Sequence, residues 1–332
     1  MRKSATLITT VISISAVIIG LLLTTPLHAV TAPSNVGQAL EIGPPVINLS
    51  ADPGTAVSTQ ISLRDVSNTN LLVTGQVNDF VAGGEDGTPK IILDNTVSRY
   101  SFKSWVAPLS TLILKSKELK TFKITINIPK SASPGGYYGV VRFTGTAPDL
   151  SGTGVSLSAS LGSLILLKVN GTAKESVSIA EFSASHSGNT GSLFETTPIV
   201  FTERFKNSGN IQEEPTGLVT VKDMFGNTVA TLAVNDSTKD VLPDSIRKFE
   251  SSLDSTNIGN KILFGLYHAD LSVTYGSNKE KLASSITFWV IPYTLIGIII
   301  AALIVGFIVL RAAIKRYNRY IISQVQKNNK HK

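Results

Sequence analysis

The chain has 332 residues, no cysteine and a formal net charge of +7. Without cysteine it has neither disulfides nor thiolate metal sites, so its domains must be held by apolar cores alone. The charge is no nucleic-acid signal, because residues 1–29 and 311–332 hold nine of the 30 cations and no acid, leaving 21 cations against all 23 acids between them, a net of −2.

In chain order, Arg2 and Lys3 precede an apolar run from about Val11 to Leu23, followed by Pro26 and the small residues Ala29 and Ala32. This is the layout of a secretory signal peptide over residues 1–29, cleaved after Ala29, with an uncleaved N-terminal anchor as the alternative. Residues 38–170 then read as a first all-β domain. Pro44 and Pro45 mark a strand edge, Asp52-Pro53-Gly54 a turn, and Val57, Thr59, Ile61 and Leu63 an alternating strand. Leu71–Val77 repeats the signal, and Gly83–Pro89 (GGEDGTP) reads as an exposed loop.

The clearest strand places Phe122, Ile124, Ile126 and Ile128 on one face, with Lys123, Thr125 and Asn127 on the other. After a turn at Pro134-Gly135-Gly136, the next strand sets Tyr138, Val140 and Arg142 opposite Tyr137, Val141 and Phe143, and a final long strand runs from Val155 to Val169. Strands of this length between closely spaced turns predict an immunoglobulin-like β-sandwich, and the missing cysteine pair does not exclude that architecture.

The block ITINIPKSASPGGYYGVVRF, the Asp52-Pro53-Gly54 turn after an early apolar strand, and the order of parts along the whole chain resemble the WxL-interacting proteins of the bacterial envelope. The resemblance implies a signal peptide, two sandwich-like domains, a membrane helix and a short basic tail. It also implies a first domain associated with peptidoglycan and a second with partner or host-surface proteins.

Residues 173–288 predict the second sandwich. A new alternation begins at Val177, Ile179 and Phe182, turns fall at Asn207–Asn210 and Phe225-Gly226-Asn227, and Tyr267, Ala269, Leu271 and Val273 form a core face. LRDVSNTNLLVTGQV and FKNSGNIQEEPTGLVTV echo each other, which fits a duplicated fold or shared strand grammar. Residues 289–310 follow as a transmembrane helix, uncharged from Val290 to Leu310. Trp289 and Tyr293 are placed at one membrane interface, and Arg311, Lys315 and Arg316 at the other. The basic tail, 311–332, is assigned to the cytoplasm and everything before the helix outside it. Ile314, Tyr317, Ile321 and Val325 recur at near-helical spacing in that tail, so it continues along the inner surface.

The search for chemistry finds no GxSxG, P-loop or HExxH pattern, and only His186 and His268 fall in the exported part. Glu85 and Asp86 with Asp94 offer at most a weak calcium site, since their spacing fits no known loop. LPDSI at Leu242 lacks the Thr-Gly of a wall-sorting signal. No catalytic residue, cofactor or metal is assigned. Tyr137, Tyr138 and Trp105 are the candidate ligand-binding residues, each open to two readings: an aromatic platform for glycan, or a core or turn residue. The reading is therefore a single-pass cell-membrane protein with two tandem immunoglobulin-like sandwiches, contacting membrane lipid and engaging peptidoglycan or surface proteins. An accessory subunit of an envelope membrane complex is the alternative.

Overall fold

Eighteen strands and one long helix make up the computed structural model, which describes residues 40–94, 96–146, 159–259 and 261–329. The expected signal peptide, the start of the first domain, the Val155–Ser158 start of its last strand and the final three residues lie outside the described residues. The first half contains β1 (Leu40–Gly43), β2 (Val46–Ala51), β3 (Ala56–Asp65), β4 (Leu71–Ala82), β5 (Pro89–Ile92), β6 (Leu112–Leu114), β7 (Leu119–Asn127), β8 (Gly135–Thr146) and β9 (Ala159–Val169). The second half contains β10 (Val177–His186), β11 (Asn189–Thr190), β12 (Leu193–Phe194), β13 (Ile199–Asn207), β14 (Thr216–Asp223), β15 (Thr228–Val234) and β16 (Ser245–Leu253). It is completed by a one-turn α1 (Ser255–Ile258), β17 (Gly265–Tyr275) and β18 (Glu280–Val290), and α2 (Tyr293–Asn329) follows.

Each half is built of two facing sheets. In the first, β1-β3-β7 lies against β2-β9-β8-β4-β5, with β6 added beside β4. In the second, β11-β10-β13-β16 lies against β12-β18-β17-β14-β15. Ring contacts join the facing sheets: Phe122 and Phe143 have centroids 4.7 Å apart in the first half, and Phe201 and Phe288 are 5.8 Å apart in the second. One sheet in each half is mixed, since β2 runs parallel to β9 and β12 parallel to β18, and the other two are antiparallel. The prolines before β2 suit its place at a sheet edge, where a missing N–H costs no ladder bond.

Alternation chose the buried faces of β7 and β17: Ile124 and Ile126 are buried on the first, with Ile128 buried just past its end, and Tyr267, Ala269, Leu271 and Val273 on the second. β18 ends at the junction with the apolar helix. It runs through Trp289 to Val290, so the helix begins at Tyr293 rather than at residue 289, and Trp289 sits in the sheet opposite Leu266 and Leu193. The sequence-based boundary is corrected here because apolar composition continues from strand into helix, and the change of backbone occurs at Ile291-Pro292.

Of the buried polar residues in the second half, two on β13 are fully enclosed. Asn207 is satisfied: its Nδ2 donates to Ile211 O (2.7 Å) and Val241 O (2.8 Å), and its Oδ1 accepts from Gly209 N (2.8 Å). Glu203 is not. It takes the inward place between Phe201 and Phe205 on β13, is 0% exposed, and neither carboxylate oxygen has a hydrogen-bond partner among the described residues. Neighbouring Ser251 gives its hydroxyl to Ala233 O (3.1 Å) instead. Burial pushes the Glu203 carboxyl up to about 8 from its ordinary 4.5. A carboxyl raised in the folded state contributes stability that is complete below its unfolded value and lost as pH rises through its folded one. The urea midpoint of residues 40–290 is therefore expected to fall as pH rises from about 4.5 to about 8. Glu203→Gln should flatten much of that fall, leaving the parts due to Glu213 and Asp240, which burial raises to about 7 and about 6. An unchanged profile in the variant would contradict the account.

Candidate functional site

The three aromatic candidates separate into two environments. The segment before Trp105 is fixed by Asp79, a buried carboxylate on β4, whose Oδ2 accepts from Ser98 N (2.9 Å) and Oδ1 from Ser101 Oγ (2.6 Å). Phe102 then plugs the core against Gly139, where a Cβ would lie 2.6 Å from the Phe102 ring. One 3-10 turn, Lys103–Trp105, lifts the indole out of the core, with Trp105 N donating to Phe102 O at 2.8 Å. Phe102 thus fills the interior place open to Trp105 in the sequence, and Trp105 is half-buried at the surface. Its ring meets that of Tyr137, with centroids 4.5 Å apart and planes at 48°, while the Tyr137 hydroxyl donates to Ser133 O (3.0 Å). Trp105 and Tyr137 form one tilted aromatic surface, held from both sides.

Tyr138 points the other way and is 2% exposed, so it offers no ring to a sugar. It packs edge-on against Phe80 and Tyr100, beside Val140 and Leu166, and Leu242 of the second half lies on this cluster. Its hydroxyl donates to Gln212 Oε1 across the boundary (2.8 Å), and burial raises its pKa far above the usual phenol range. The glycines before it serve the same seam. Gly136 N donates to Asn210 O (2.8 Å) and Asn210 Nδ2 to Pro134 O (2.9 Å), and a Cβ on Gly135, whose φ is +144°, would lie 2.9 Å from Asn210.

The 83–89 segment is an exposed loop as expected, and Glu85 also ties it to the second half. Lys248 N donates to Glu85 O (2.7 Å), and Glu85 Oε2 pairs with Arg204 Nε (2.7 Å), which also pairs with Glu181. Glu85, Asp86 and Asp94, the three carboxylates of the weak calcium reading, do not converge on one position. Glu85 is committed to Arg204, Asp86 accepts from Thr88 N (3.0 Å) and Thr88 Oγ1 (2.6 Å), and Asp94 accepts from Thr96 N (2.9 Å). A third tie runs from Tyr100 Oη to Asp244 Oδ2 (2.9 Å). Tyr100, Gln212, Asn210, Arg204 and Leu242 were missed from sequence, and the glycine pair before Tyr137 was the only local sign of a close backbone approach.

At the other end of the second half, Glu195 Oε1 accepts from Thr294 N (3.1 Å) and closes the first turn of α2. Hydrogen bonding from the Thr294 side chain, more than from its backbone, holds the Glu195 carboxyl below its ordinary range. Trp289 and Tyr293 are exposed at this junction, and Arg311, Lys315 and Arg316 are exposed farther along the helix. His186 Nδ1 is 2.8 Å from Pro198 O, and no group of three or more His, Asp or Glu side chains converges on a metal position among the described residues.

No family model and no curated protein matches the chain. Solved structures with a similar arrangement of strands include the YadV chaperone (11% identity, TM-score 0.36, covering 76% of this chain and 100% of that one). Others are the class 5 fimbriae chaperone CfaA (15%, 0.36, 74% and 98%) and the E. coli chaperone DraB (12%, 0.32, 75% and 96%).

Because Tyr138 carries the seam and Trp105 does not, their removal should differ. Tyr138→Ala is expected to cost about 3 kcal/mol in urea unfolding of residues 40–290, whereas Trp105→Ala should leave the seam intact. Equal losses in the two variants would contradict this division.

Proposed function

We propose that this is a single-pass envelope protein whose two tandem immunoglobulin-like sandwiches bind wall polymer or partner surface proteins outside the cytoplasmic membrane. One observation carries the reading. The helix from Tyr293 to Arg319 is long and apolar enough to cross a membrane, with a mean hydropathy of 2.8 over its most apolar stretch and no burial against the rest of the chain. From Tyr293 to Arg311 it rises about 27 Å, close to the thickness of a bilayer's hydrocarbon core. The cations beginning at Arg311 favour the cytoplasmic side, which puts the β-structure on the outer face.

The layout and the PGGYYG block resemble the WxL-interacting proteins, which supports peptidoglycan as the ligand of the first half. The surface suited to it is the Trp105–Tyr137 pair: two rings fixed by packing, half-open to solvent, present contact area at small entropic cost. Lys103 and Ser104 beside them are exposed and supply polar groups at the rim.

Retention of residues 40–290 on purified sacculi tests the reading. The wild-type segment should sediment with the wall material, and Trp105→Ala should weaken binding about tenfold, a loss of ~1.4 kcal/mol. Failure of the folded wild type to sediment, together with recovery of the full chain in stoichiometric complex with a membrane protein, would favour an accessory subunit instead.

A further inference from the structure

The five-stranded sheet of the second half ends on the side from which α2 departs, and the register shows what else lies there. Val290, the last residue of β18, pairs with Gly265, the first of β17. Asp223, the last of β14, pairs with Tyr267, so the β14–β15 turn lies at the same end. The tips of neighbouring strands therefore line up beside the helix, and they are apolar. Phe225 is 82% exposed, Ile262 75% and Phe264 62%, with Met224 also exposed. Large apolar side chains gathered in this way on a surface mark a contact.

These tips are held in place. Asp223 Oδ1 accepts from Phe225 N and Asn227 N (both 2.9 Å), Gly226 turns the chain at φ +84°, and the Phe225 ring is left projecting. Met224 lies over Gly265, where a Cβ would meet its methyl at 2.2 Å. Phe264 N donates to Tyr267 Oη (3.1 Å). Ile262 and Leu263 share the walls of a cavity of about 430 Å³ with Leu295 and Ile298, from the first two turns of α2. Leu295 and Ile298 belong to the candidate membrane span, so Ile262 lies at a level the bilayer reaches.

We propose that the Met224–Phe225 turn and the Ile262–Phe264 loop are a second membrane contact, entering the headgroup and upper acyl region of the same leaflet that α2 crosses. The inference rests on the transmembrane reading of α2. The occupant is lipid rather than a protein because the patch is continuous with the start of the helix, shares a cavity wall with it, and carries Lys261 at its edge, a cation suited to phosphate headgroups. With the helix and two loops all seated in one leaflet, the β-structure is fixed in tilt instead of swinging about Ile291-Pro292.

The chain has no cysteine, so single positions can be labelled without background. The full chain is reconstituted in vesicles of phosphatidylglycerol and phosphatidylethanolamine, with an environment-sensitive fluorophore at Phe225→Cys, Ile262→Cys, Leu303→Cys or Ser237→Cys. Leu303 lies inside the helix, and Ser237 follows β15 at the opposite end of the sheet. Labels at 225 and 262 should shift to the blue and lose emission to a lipid spin-labelled near the headgroup, and that at 303 to a lipid spin-labelled deep in its acyl chain, while that at 237 responds only to an aqueous quencher. If 303 is quenched by lipid but 225 and 262 behave like 237, the loop contact is overturned and the anchor stands. If 225 and 262 are shielded from the aqueous quencher yet untouched by spin-labelled lipid, a protein covers them and the lipid assignment is overturned. If 303 escapes lipid quenching, the transmembrane reading itself fails, and this inference with it.

Discussion

β8 is apolar on both faces, and that constraint shapes the whole β-structure. Val141 and Phe143 face the core of the first half, while Tyr138 and Val140 face outward with Phe80 and Leu166. Left wet, that outer face would expose an apolar patch in the middle of a sheet, a surface that soluble proteins seldom leave uncovered. The second half covers it with Leu242. The polar ties around it, Tyr138 to Gln212, Tyr100 to Asp244 and Glu85 to Arg204, fix its register. From Leu40 onward the chain is accordingly one compact unit, although no sheet continues from one half into the other among the described residues.

How much of this the sequence disclosed depends on whether the cause was local. The inward faces of β7 and β17 are periodic signals complete within a dozen or so residues, the apolar helix is an unbroken uncharged run, and all three were legible. What covers an apolar outer face is not local. Tyr138 and its partner Gln212 lie 74 residues apart, and Tyr100 and Asp244 lie 144 apart. The GGEDGTP segment is as exposed as its polarity suggests, with Gly83, Gly84, Asp86 and Thr88 open to solvent, but polarity gave no sign that Glu85 has an arginine waiting in the other half. Glu203 shows the opposite failure. Its position on β13 has the inward phase of Ile199, Phe201 and Phe205, and a charged residue there broke the pattern instead of completing it. Trp105 was half-legible, since as the one tryptophan apart from Trp289 it drew notice, while the neighbouring Phe102 took the interior position.

The seam also bears on function. It consumes Tyr138 and leaves Tyr137 with Trp105 as the aromatic surface of the first half, so adjacent tyrosines with opposite strand phase serve opposite purposes. It fixes the position of that surface relative to the second half, whose sheet end carries the helix only two residues beyond β18. Under the proposed function, a rigid β-structure would hold the aromatic pair at a set distance from the apolar helix, which a flexible tether would not do.

The most direct test uses the two tryptophans, which fall one in each half. In residues 40–290, Trp289→Phe leaves Trp105 to report the first half, and Trp105→Phe leaves Trp289 to report the second. If the seam joins the halves into one cooperative unit, the two urea transitions should coincide in midpoint and slope, and Leu242→Asp should pull them apart. Transitions already separate with the seam intact would show two independent sandwiches and contradict the account.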